Sequence, residues 1–184
     1  MTATVRVLGI VGSLRAASYN RWLLGAAAEL APPGLTIAAH GLEAIPLYDQ
    51  DVEERGDPAP VAALRAAARD ADAVLIASPE YNYGVPGVLK NAIDWISRPP
   101  GKAPLRRKPV AIMGASRGPS GTMRMQLQLR LTLQALEAYV MPKPEVVVSH
   151  CVDKFDVSGR LTDVATRDHM TAHLAAFAEW IGRF

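Results

Sequence analysis

The 184-residue chain has a single cysteine, few aromatic residues and no marked excess of charge of either sign. One thiol, Cys151, cannot form an internal disulfide, which favours a reducing compartment and predicts a cytoplasmic protein. The 20 basic and 18 acidic residues give a formal charge of +2, too balanced for a nucleic-acid-binding surface. No run approaches the ~18 apolar residues that span a bilayer. The first residues have too short an apolar run, and no basic start, for a secretion signal.

Short apolar segments alternate along the chain with helical patterns, without repeats or linkers. The predicted strands cover residues 5–11, 35–39, 73–77, 109–113 and 140–148, the last interrupted by Pro142 and Pro144. The predicted helices cover residues 20–30, 60–69, 86–97, 123–133 and 163–182, and residues 40–58 are expected to be a long loop. About five strands separated by helices predict an α/β protein with a doubly wound parallel sheet. The length fits a single domain over residues 1–184.

The loop after the first strand, Gly12–Arg21, is rich in hydrogen-bond donors and contains one cation. Ser13, Ser18 and Asn20 offer side-chain donors and Arg15 a planar guanidinium, just before a predicted helix N-terminus that favours negative charge. The loop has neither the Gly-x-x-x-x-Gly-Lys signature of nucleoside triphosphatases nor a Gly-x-Gly-x-x-Gly dinucleotide fingerprint. One terminal phosphate of a mononucleotide fits this set. The alternative is that Ser18 or Asn20 simply caps the helix.

The most informative segment is Ser78–Pro99, which joins a buried strand to a helix through a loop suited to ligand binding. Pro86 fits the start of the helix, where its missing N–H would have no partner anyway. Before it, residues 80–84 supply backbone donors, an amide, two aromatic rings and a glycine. Ligands of parallel sheets bind at the carboxyl ends of the strands, where this loop is expected to lie.

These two loops, with Ile45–Asp51, resemble the NADPH-dependent FMN reductase family, flavodoxin-like proteins that include quinone, azo-dye and chromate reductases. The resemblance covers about the first two thirds of the chain. It implies the strand order 2-1-3-4-5 with helices on both faces of the sheet. It also implies tightly bound FMN, NADPH or NADH as electron donor, and a small-molecule electron acceptor. Flavin N5 would carry the hydride, so no side chain is expected to be an essential acid or base.

The resemblance also implies the residues that contact the cofactor. The first loop would hold the FMN phosphate and the second the isoalloxazine ring, mostly through main-chain groups, with Asn82 as the main side-chain donor. The third glycine-rich loop, Gly114–Thr122, would add Ser116, although Thr122 stands where the family has a glycine. The predicted cofactor-binding residues are Ser13, Arg15, Ser18, Tyr19, Asn20, Pro79, Glu80, Tyr81, Asn82, Tyr83, Ser116 and Gly118.

The second loop also has simpler interpretations. Tyr81 and Tyr83 could be ordinary packing or interface residues, and Glu80 could be a solvated carboxylate. Residues Asn91, Asp94, Trp95 and Arg98 match the family pattern, but a structural role is preferred for them.

The segment Met123–Leu133 has apolar residues at alternate positions, which is typical of a strand. Its methionine, glutamine, leucine and arginine content and its length favour a helix instead. Such a helix has Met125, Leu129, Thr132 and Leu136 on one side and Leu127 and Leu131 on another. Two apolar sides predict that one packs on the sheet and the other on a second subunit, in a homodimer or homotetramer. The loop 45–51 would then approach the neighbouring subunit's flavin.

Other residue patterns are weaker signals. His169 and His173 are four residues apart on a predicted helix without a third metal ligand, and His150–Cys151 lacks an orienting partner for a nucleophile. The basic segment 102–108 is expected to be a solvated loop that could attract an anionic substrate or the NADPH phosphate. Two alternative functions remain: a flavodoxin-type electron carrier without NAD(P)H activity, and a scaffold that has lost its cofactor.

Overall fold

Six parallel strands form the centre of the computed structural model, which describes residues 4–184; residues 1–3, used in the secretion-signal prediction, lie outside it. The predicted strands are confirmed to within two residues, apart from the last. The strands are β1 Val5–Val11, β2 Leu35–His40, β3 Ala73–Ala77, β4 Pro109–Ala115, β5 Tyr139–Val140 and β6 Val146–Val148.

The strand order is β2-β1-β3-β4-β5, which confirms the flavodoxin-like order 2-1-3-4-5. The prediction of one continuous fifth strand over residues 140–148 is wrong. β5 pairs with the start of β4 and β6 pairs with its end, both in parallel. Pro142 and Pro144 lie between the two, and a proline cannot donate to a strand ladder, so two short strands share the fifth position.

The helices lie close to their predicted positions. They are α1 Tyr19–Glu29, α2 Gln50–Glu54, α3 Ala59–Asp70, α4 Gly87–Ile96, α5 Met123–Ala135 and α6 Val164–Ile181, with a 3₁₀ helix at Cys151–Lys154. The prediction that residues 40–58 are all loop is wrong because α2 lies within them. This helix is five residues long and buries none of them, so it leaves no hydrophobic period in the sequence. Its start is fixed by Asp49, whose carboxylate accepts a hydrogen bond from Asp51 N at 2.8 Å.

Helices cover both faces of the sheet and bury a separate core on each. Alternate strand residues point to opposite faces, as Val7 and Leu8 do in β1. One core joins the sheet to α1 and α6. The other joins it to α3, α4 and α5. No helix in residues 4–184 has the length and apolar character needed to cross a membrane.

The alternating segment 123–133 is helical, as its residue propensities predicted. Met125 and Leu129 are buried against the sheet, which confirms these two members of the predicted packing side. Leu133 is buried with them, whereas Thr132 and Leu136 are only partly buried. Leu127 and Leu131 are 58% and 68% exposed on the other side of the helix. These two leucines lie one helical turn apart and form an exposed apolar stripe.

The basic segment 102–108 lies at the amino ends of the strands, because it leads directly into the first residue of β4, Pro109. The Lys108 ammonium donates hydrogen bonds to carbonyls at the C-terminal end of α3: Ala68 O at 2.6 Å, Arg69 O at 3.0 Å, and Ala71 O. Burial lowers the pKa of Lys108, while Asp72 and Asp70 act in the opposite direction. Its role is therefore to cap a helix. The alternative that this segment attracts an anionic substrate or the NADPH phosphate is wrong for Lys108.

The two histidines of α6 bind backbone rather than a metal. His169 Nε2 lies 2.6 Å from Glu145 O, and His173 Nδ1 lies 2.7 Å from Pro144 O. These contacts fasten the connection between β5 and β6 to α6. Burial lowers the pKa of His173, which keeps the imidazole neutral. Within residues 4–184, no group of three or more His, Cys, Asp or Glu side chains could hold a metal ion.

Candidate functional site

The three loops singled out in the sequence leave the sheet at one edge. β1, β3 and β4 are neighbouring parallel strands, so residues 12–18, 78–86 and 116–122 all follow carboxyl ends. Backbone bonds continue the ladder into the loops: Gly12 N donates to Ala77 O at 2.9 Å, and Ser78 N donates to Met113 O at 3.1 Å. Arg15 and Asn82, far apart in sequence, therefore lie at the same end of the sheet.

The first loop ends at the N-terminus of α1, which carries no acidic residue in its first turn. The partial positive charge of the helix end is therefore available to an anion. Ser18 is the N-cap, and its Oγ accepts a hydrogen bond from Asn20 N at 3.3 Å. Ser13 Oγ accepts one from Arg15 N at 3.4 Å. The capping alternative for Ser18 is confirmed. Because the Ser18 hydroxyl is the acceptor in this bond, its proton stays free to donate to a ligand.

The Asn20 side chain connects two elements that position the site, α1 and β4. Its Nδ2 donates to Ala115 O at 2.9 Å, and its Oδ1 accepts from Ala115 N at 2.8 Å. These two bonds join the start of α1 to the end of β4 across 95 residues. Because both polar atoms are used, we assign Asn20 to positioning rather than to a side-chain bond with the phosphate.

Two adjoining clefts contain all the predicted cofactor-binding residues. The first, of about 270 Å³, is called here the Arg15 cleft. Its lining residues are Ser13, Arg15, Ser18, Tyr19, Asn20, Pro79, Glu80, Tyr81, Ala115, Ser116, Arg117 and Cys151. The second, of about 430 Å³, is called the Tyr83 cleft. Its lining residues are Glu80, Asn82, Tyr83, Ser116, Gly118, Pro119, Ser120, Gly121 and Arg124.

The clefts share Glu80 and Ser116, so a ligand with a charged tail and a flat head can occupy both. Their size is that of small-molecule sites. Another cavity, of about 300 Å³ between α1 and β2, meets the predicted site through Ser13. The loop 45–51 lines neither cleft within this chain.

The second loop folds as a tight hairpin whose tip has unusual backbone angles. Tyr81 N donates to Gly84 O at 3.2 Å and Gly84 N to Tyr81 O at 2.9 Å. Between them, Asn82 and Tyr83 have φ values of 49° and 66°. Consecutive left-handed residues define a type I′ turn, and a tyrosine there is strained, a condition that clusters at ligand sites. The N–H groups of Asn82 and Tyr83 take no part in these two bonds, which leaves them available to a flavin edge.

Glu80 has a structural role that the sequence did not indicate. Its side chain is 8% exposed, so the solvated-carboxylate interpretation is wrong. Its Oε2 accepts hydrogen bonds from Arg124 N at 2.9 Å and Met125 N at 3.0 Å. The N-cap residue of α5, Thr122, makes no side-chain capping bond, so Glu80 caps this helix from the neighbouring loop. These capping bonds hold the second site loop, which contains Glu80, against the start of α5 at the end of the third loop.

Replacing Glu80 by alanine should lower the free energy of unfolding by about 2 kcal/mol, because two amides in the first turn of α5 lose their charged acceptor. Glu80→Gln retains one acceptor oxygen and should lose roughly half as much. Urea denaturation measures both. Glu29→Ala, at an exposed position near the end of α1, is the control and should change stability by less than about 0.5 kcal/mol. If Glu80→Ala matched that control, the capping role would be wrong.

Thr122 occupies the position where the family pattern has a glycine, and Gly114 accommodates it. An added Cβ at Gly114 would lie 2.4 Å from Thr122 Oγ1 and 2.4 Å from Ser78 O. Thr122 is fully buried, and its Oγ1 accepts a hydrogen bond from Gln126 Nε2 at 3.1 Å. The threonine at position 122 therefore fits because Gly114, at the end of β4, leaves space for its side chain.

Three of the four residues that match the family pattern contact the loop 45–51, in agreement with the structural role predicted for them. Asn91 Oδ1 accepts from Tyr48 N at 2.8 Å, and Asn91 Nδ2 and Trp95 Nε1 each donate to Pro46 O at 2.8 Å. Asp94 pairs with Lys90 at 2.7 Å. The Arg98 guanidinium lies 5.2 Å from the ring centroid of Tyr48. The loop thereby projects Leu47, which is 83% exposed.

Sequence reasoning missed three charged or reactive side chains at the clefts. Arg117 lines the Arg15 cleft, and its position in the glycine-rich loop could have identified it. Arg124 lines the Tyr83 cleft with its guanidinium 4.1 Å from the Tyr83 ring centroid. Cys151 lines the Arg15 cleft and is fully buried. Burial raises the pKa of its thiol, which disfavours the nucleophilic thiolate form.

Comparison with known proteins decides the family. A model of the NADPH-dependent FMN reductase family matches residues 5–153. The chain belongs to this family. It is 48% identical over 183 residues to an NAD(P)H-dependent FMN reductase of Pseudomonas aeruginosa, covering 100% of this chain and 98% of the relative. It is 45% identical over 186 residues to a quinone reductase of Escherichia coli, again covering 100% and 98%.

A solved structure agrees with the fold and the family. FerB, a flavoenzyme NAD(P)H:(acceptor) oxidoreductase from Paracoccus denitrificans, superposes with a TM-score of 0.90 at 32% identity, covering 98% of each chain. The predictions of an FMN reductase family member and of an FMN-dependent, NAD(P)H-linked oxidoreductase are therefore confirmed.

The geometry of this FMN reductase fits its family's cofactor. A helix N-terminus without acidic residues, hydroxyls and a guanidinium surround the Arg15 cleft. These groups suit a phosphate dianion. The Tyr83 cleft offers the backbone amides of two left-handed residues and one aromatic ring, which suit a flat polar heterocycle.

Proposed function

We propose that this FMN reductase passes electrons from NADPH or NADH through bound FMN to quinones, azo compounds, free flavin or similar acceptors. The observation that carries the proposal is that three separate loops place every predicted site residue in two adjoining clefts. Quinone acceptors are supported by the names of relatives, among them a 2-hydroxy-1,4-benzoquinone reductase of Burkholderia at 37% identity. The reducing cytoplasm stays the predicted location.

The proposed residue roles follow the two clefts. Ser13, Arg15, Ser18 and the amides at the start of α1 hold the phosphate. Glu80 and Ser116 line both clefts, Pro79 lines the Arg15 cleft, and Asn82 and Tyr83 present amides to the ring edge. Tyr81 and Gly118 complete the walls, and Tyr19 and Asn20 support the phosphate loop. When bound, FMN supplies a two-electron acceptor at N5, and the protein positions it and limits its contact with water.

Both substrates are proposed to use one flavin face in turn. The chain has no separate dinucleotide fingerprint, and the exposed side of the Tyr83 cleft offers one approach to a ring held there. Reduction by NAD(P)H and departure of the oxidised nucleotide would then precede acceptor binding. Double-reciprocal plots at several quinone concentrations should be parallel, and intersecting lines would contradict this ping-pong order.

The test of the function begins with the purified protein. It should be yellow, release FMN on denaturation and oxidise NADPH steadily when a quinone is added. Arg15→Ala should weaken FMN binding roughly ten- to a hundredfold, since a charge-assisted hydrogen bond contributes ~1.5–3 kcal/mol. A flavodoxin-type carrier would bind FMN without steady NADPH oxidation. A colourless protein that takes up no added FMN would contradict the cofactor assignment.

The protein is proposed to work as a homodimer or homotetramer with the site near the subunit interface. Tyr83, Met123, Leu127 and Leu131 are 65%, 56%, 58% and 68% exposed, and together form what is called here the α5 patch. Gln128 Nε2 donates to Tyr83 O at 3.0 Å, so the hairpin tip and the exposed side of α5 are one surface. Covering this surface would place a second subunit beside the Tyr83 cleft. The loop 45–51, with exposed Leu47, is proposed to reach the neighbouring subunit's flavin.

A further inference from the structure

Two guanidinium groups lie beside one aromatic ring at the Arg15 cleft. The Cζ atoms of Arg15 and Arg117 are 5.6 Å and 5.7 Å from the ring centroid of Tyr19. Both arginines line the cleft, although they come from loops after different strands, β1 and β4. Within residues 4–184 neither guanidinium forms a salt bridge with a carboxylate. Glu80, the carboxylate among the lining residues of this cleft, is engaged with Arg124 and the start of α5.

The ring between the cations is fixed by neighbours. Tyr19 packs edge-to-face on Trp22 with centroids 5.1 Å apart, and lies 5.7 Å from Phe155. An anchored ring gives both guanidinium groups a common platform through cation–π contact. The charges of both arginines also act on the thiol of Cys151, which lines the cleft. Burial raises the pKa of the Cys151 thiol, and the positive charges of Arg117 and Arg15 act against that rise.

Two like charges with no counter-ion on one cleft repel each other until an anion binds. The whole chain has a formal charge of only +2, so this local pair is a strong concentration of positive charge. A phosphomonoester is a dianion with three acceptor oxygens, and guanidinium groups bind such oxygens in pairs. The adjoining end of α1 supplies backbone donors to the same group.

We infer that Arg117 is a second phosphate-binding cation, which with Arg15 holds the terminal phosphate of the mononucleotide against Tyr19. This inference rests on the proposed function, and it adds a residue that distinguishes FMN from flavins without the phosphate. Arg117 directly follows Ser116, a residue shared by both clefts. Phosphate binding therefore draws the third loop toward the first, and flavins that lack the phosphate lose this contact.

The test compares FMN with riboflavin, which differs by the phosphate alone. Quenching of flavin fluorescence on binding gives both dissociation constants at low and high salt. Arg117→Gln should raise the dissociation constant for FMN about five- to tenfold, the range for one solvent-exposed charged bond. The constant for riboflavin should stay unchanged, and the salt dependence of FMN binding should become shallower. Arg117→Lys should recover part of the loss, because it restores the charge but not the planar fork.

Arg69→Gln is the matched control, because it removes one charge from an exposed position near the end of α3, at the opposite edge of the sheet. It should leave both constants unchanged. Equal FMN affinity in wild type and Arg117→Gln would overturn the inference. A parallel loss for FMN and riboflavin would also overturn it, by assigning Arg117 to the ring. A wild-type protein that binds neither flavin would instead overturn the proposed function itself.

Discussion

Gly114→Ala should destabilise the protein by about 3 kcal/mol and abolish tight FMN binding. The new Cβ would lie 2.4 Å from the backbone oxygen of Ser78 and 2.9 Å from Thr122 Cβ, at the junction of the second and third site loops. Backbone cannot yield as the end of a flexible side chain can, so the loops must separate. Overpacking a close-packed site costs ~1–3 kcal/mol, and here the displaced groups carry the ligand contacts as well.

Gly25→Ala is the matched control, because no atom of residues 4–184 lies within 4 Å of an added Cβ there, apart from the chain neighbours and the helix's own backbone. Gly25 is inside α1, where alanine is the better helix former by ~1 kcal/mol, so this variant should be as stable as wild type or more so. Thermal unfolding and FMN titration of both variants make the comparison. Normal FMN binding by Gly114→Ala would show that the close contact of Gly114 with Ser78 and Thr122 does not govern the site.

Leu127→Glu combined with Leu131→Glu should convert the proposed oligomer to monomers, weakening self-association at least a hundredfold. Both leucines are more than half exposed in the single chain. Each buried leucine contributes ~1.5–3 kcal/mol to association, and an unpaired carboxylate in an interface costs more. Fold stability should hardly change, because neither side chain packs on the sheet. Size-exclusion chromatography with light scattering at micromolar concentration measures the mass.

Val157→Glu is the control for added charge at an exposed apolar residue. Val157 is fully exposed in the segment between Phe155 and Leu161, which packs near α1 on the other face of the sheet. It should keep the wild-type mass. A monomeric wild-type protein, or a double variant that keeps the wild-type mass, would remove the α5 patch from the interface.

The strands of the sheet could be predicted because the residue pattern that identifies each strand lies within its own short segment. The segment 73–77 is apolar throughout and flanked by polar or turn residues, and it becomes a strand buried along its whole length. For Met123–Leu133, residue propensity and length outweighed a misleading alternation, and the helix was identified correctly. The strand order came from the family resemblance, since the spacing of elements does not determine it.

The features that were missed depend on contacts distant in sequence. The capping of α5 by Glu80 joins groups 44 residues apart, and the bracing of Ala115 by Asn20 joins groups 95 apart. No local pattern encodes such partners. The helix α2 was missed for the opposite reason, because it buries nothing and so has no hydrophobic period. Arg117 lies in the glycine-rich third loop, but its place beside Tyr19 depends on the fold and not on the local sequence.

A crystal structure of the protein with FMN tests the central claim most directly. Our account predicts the phosphate at the start of α1, between the guanidinium groups of Arg15 and Arg117, and the isoalloxazine ring against the amides of Asn82 and Tyr83. Flavin density in the cavity between α1 and β2, or a ring at α1 with the phosphate at the hairpin, would contradict it.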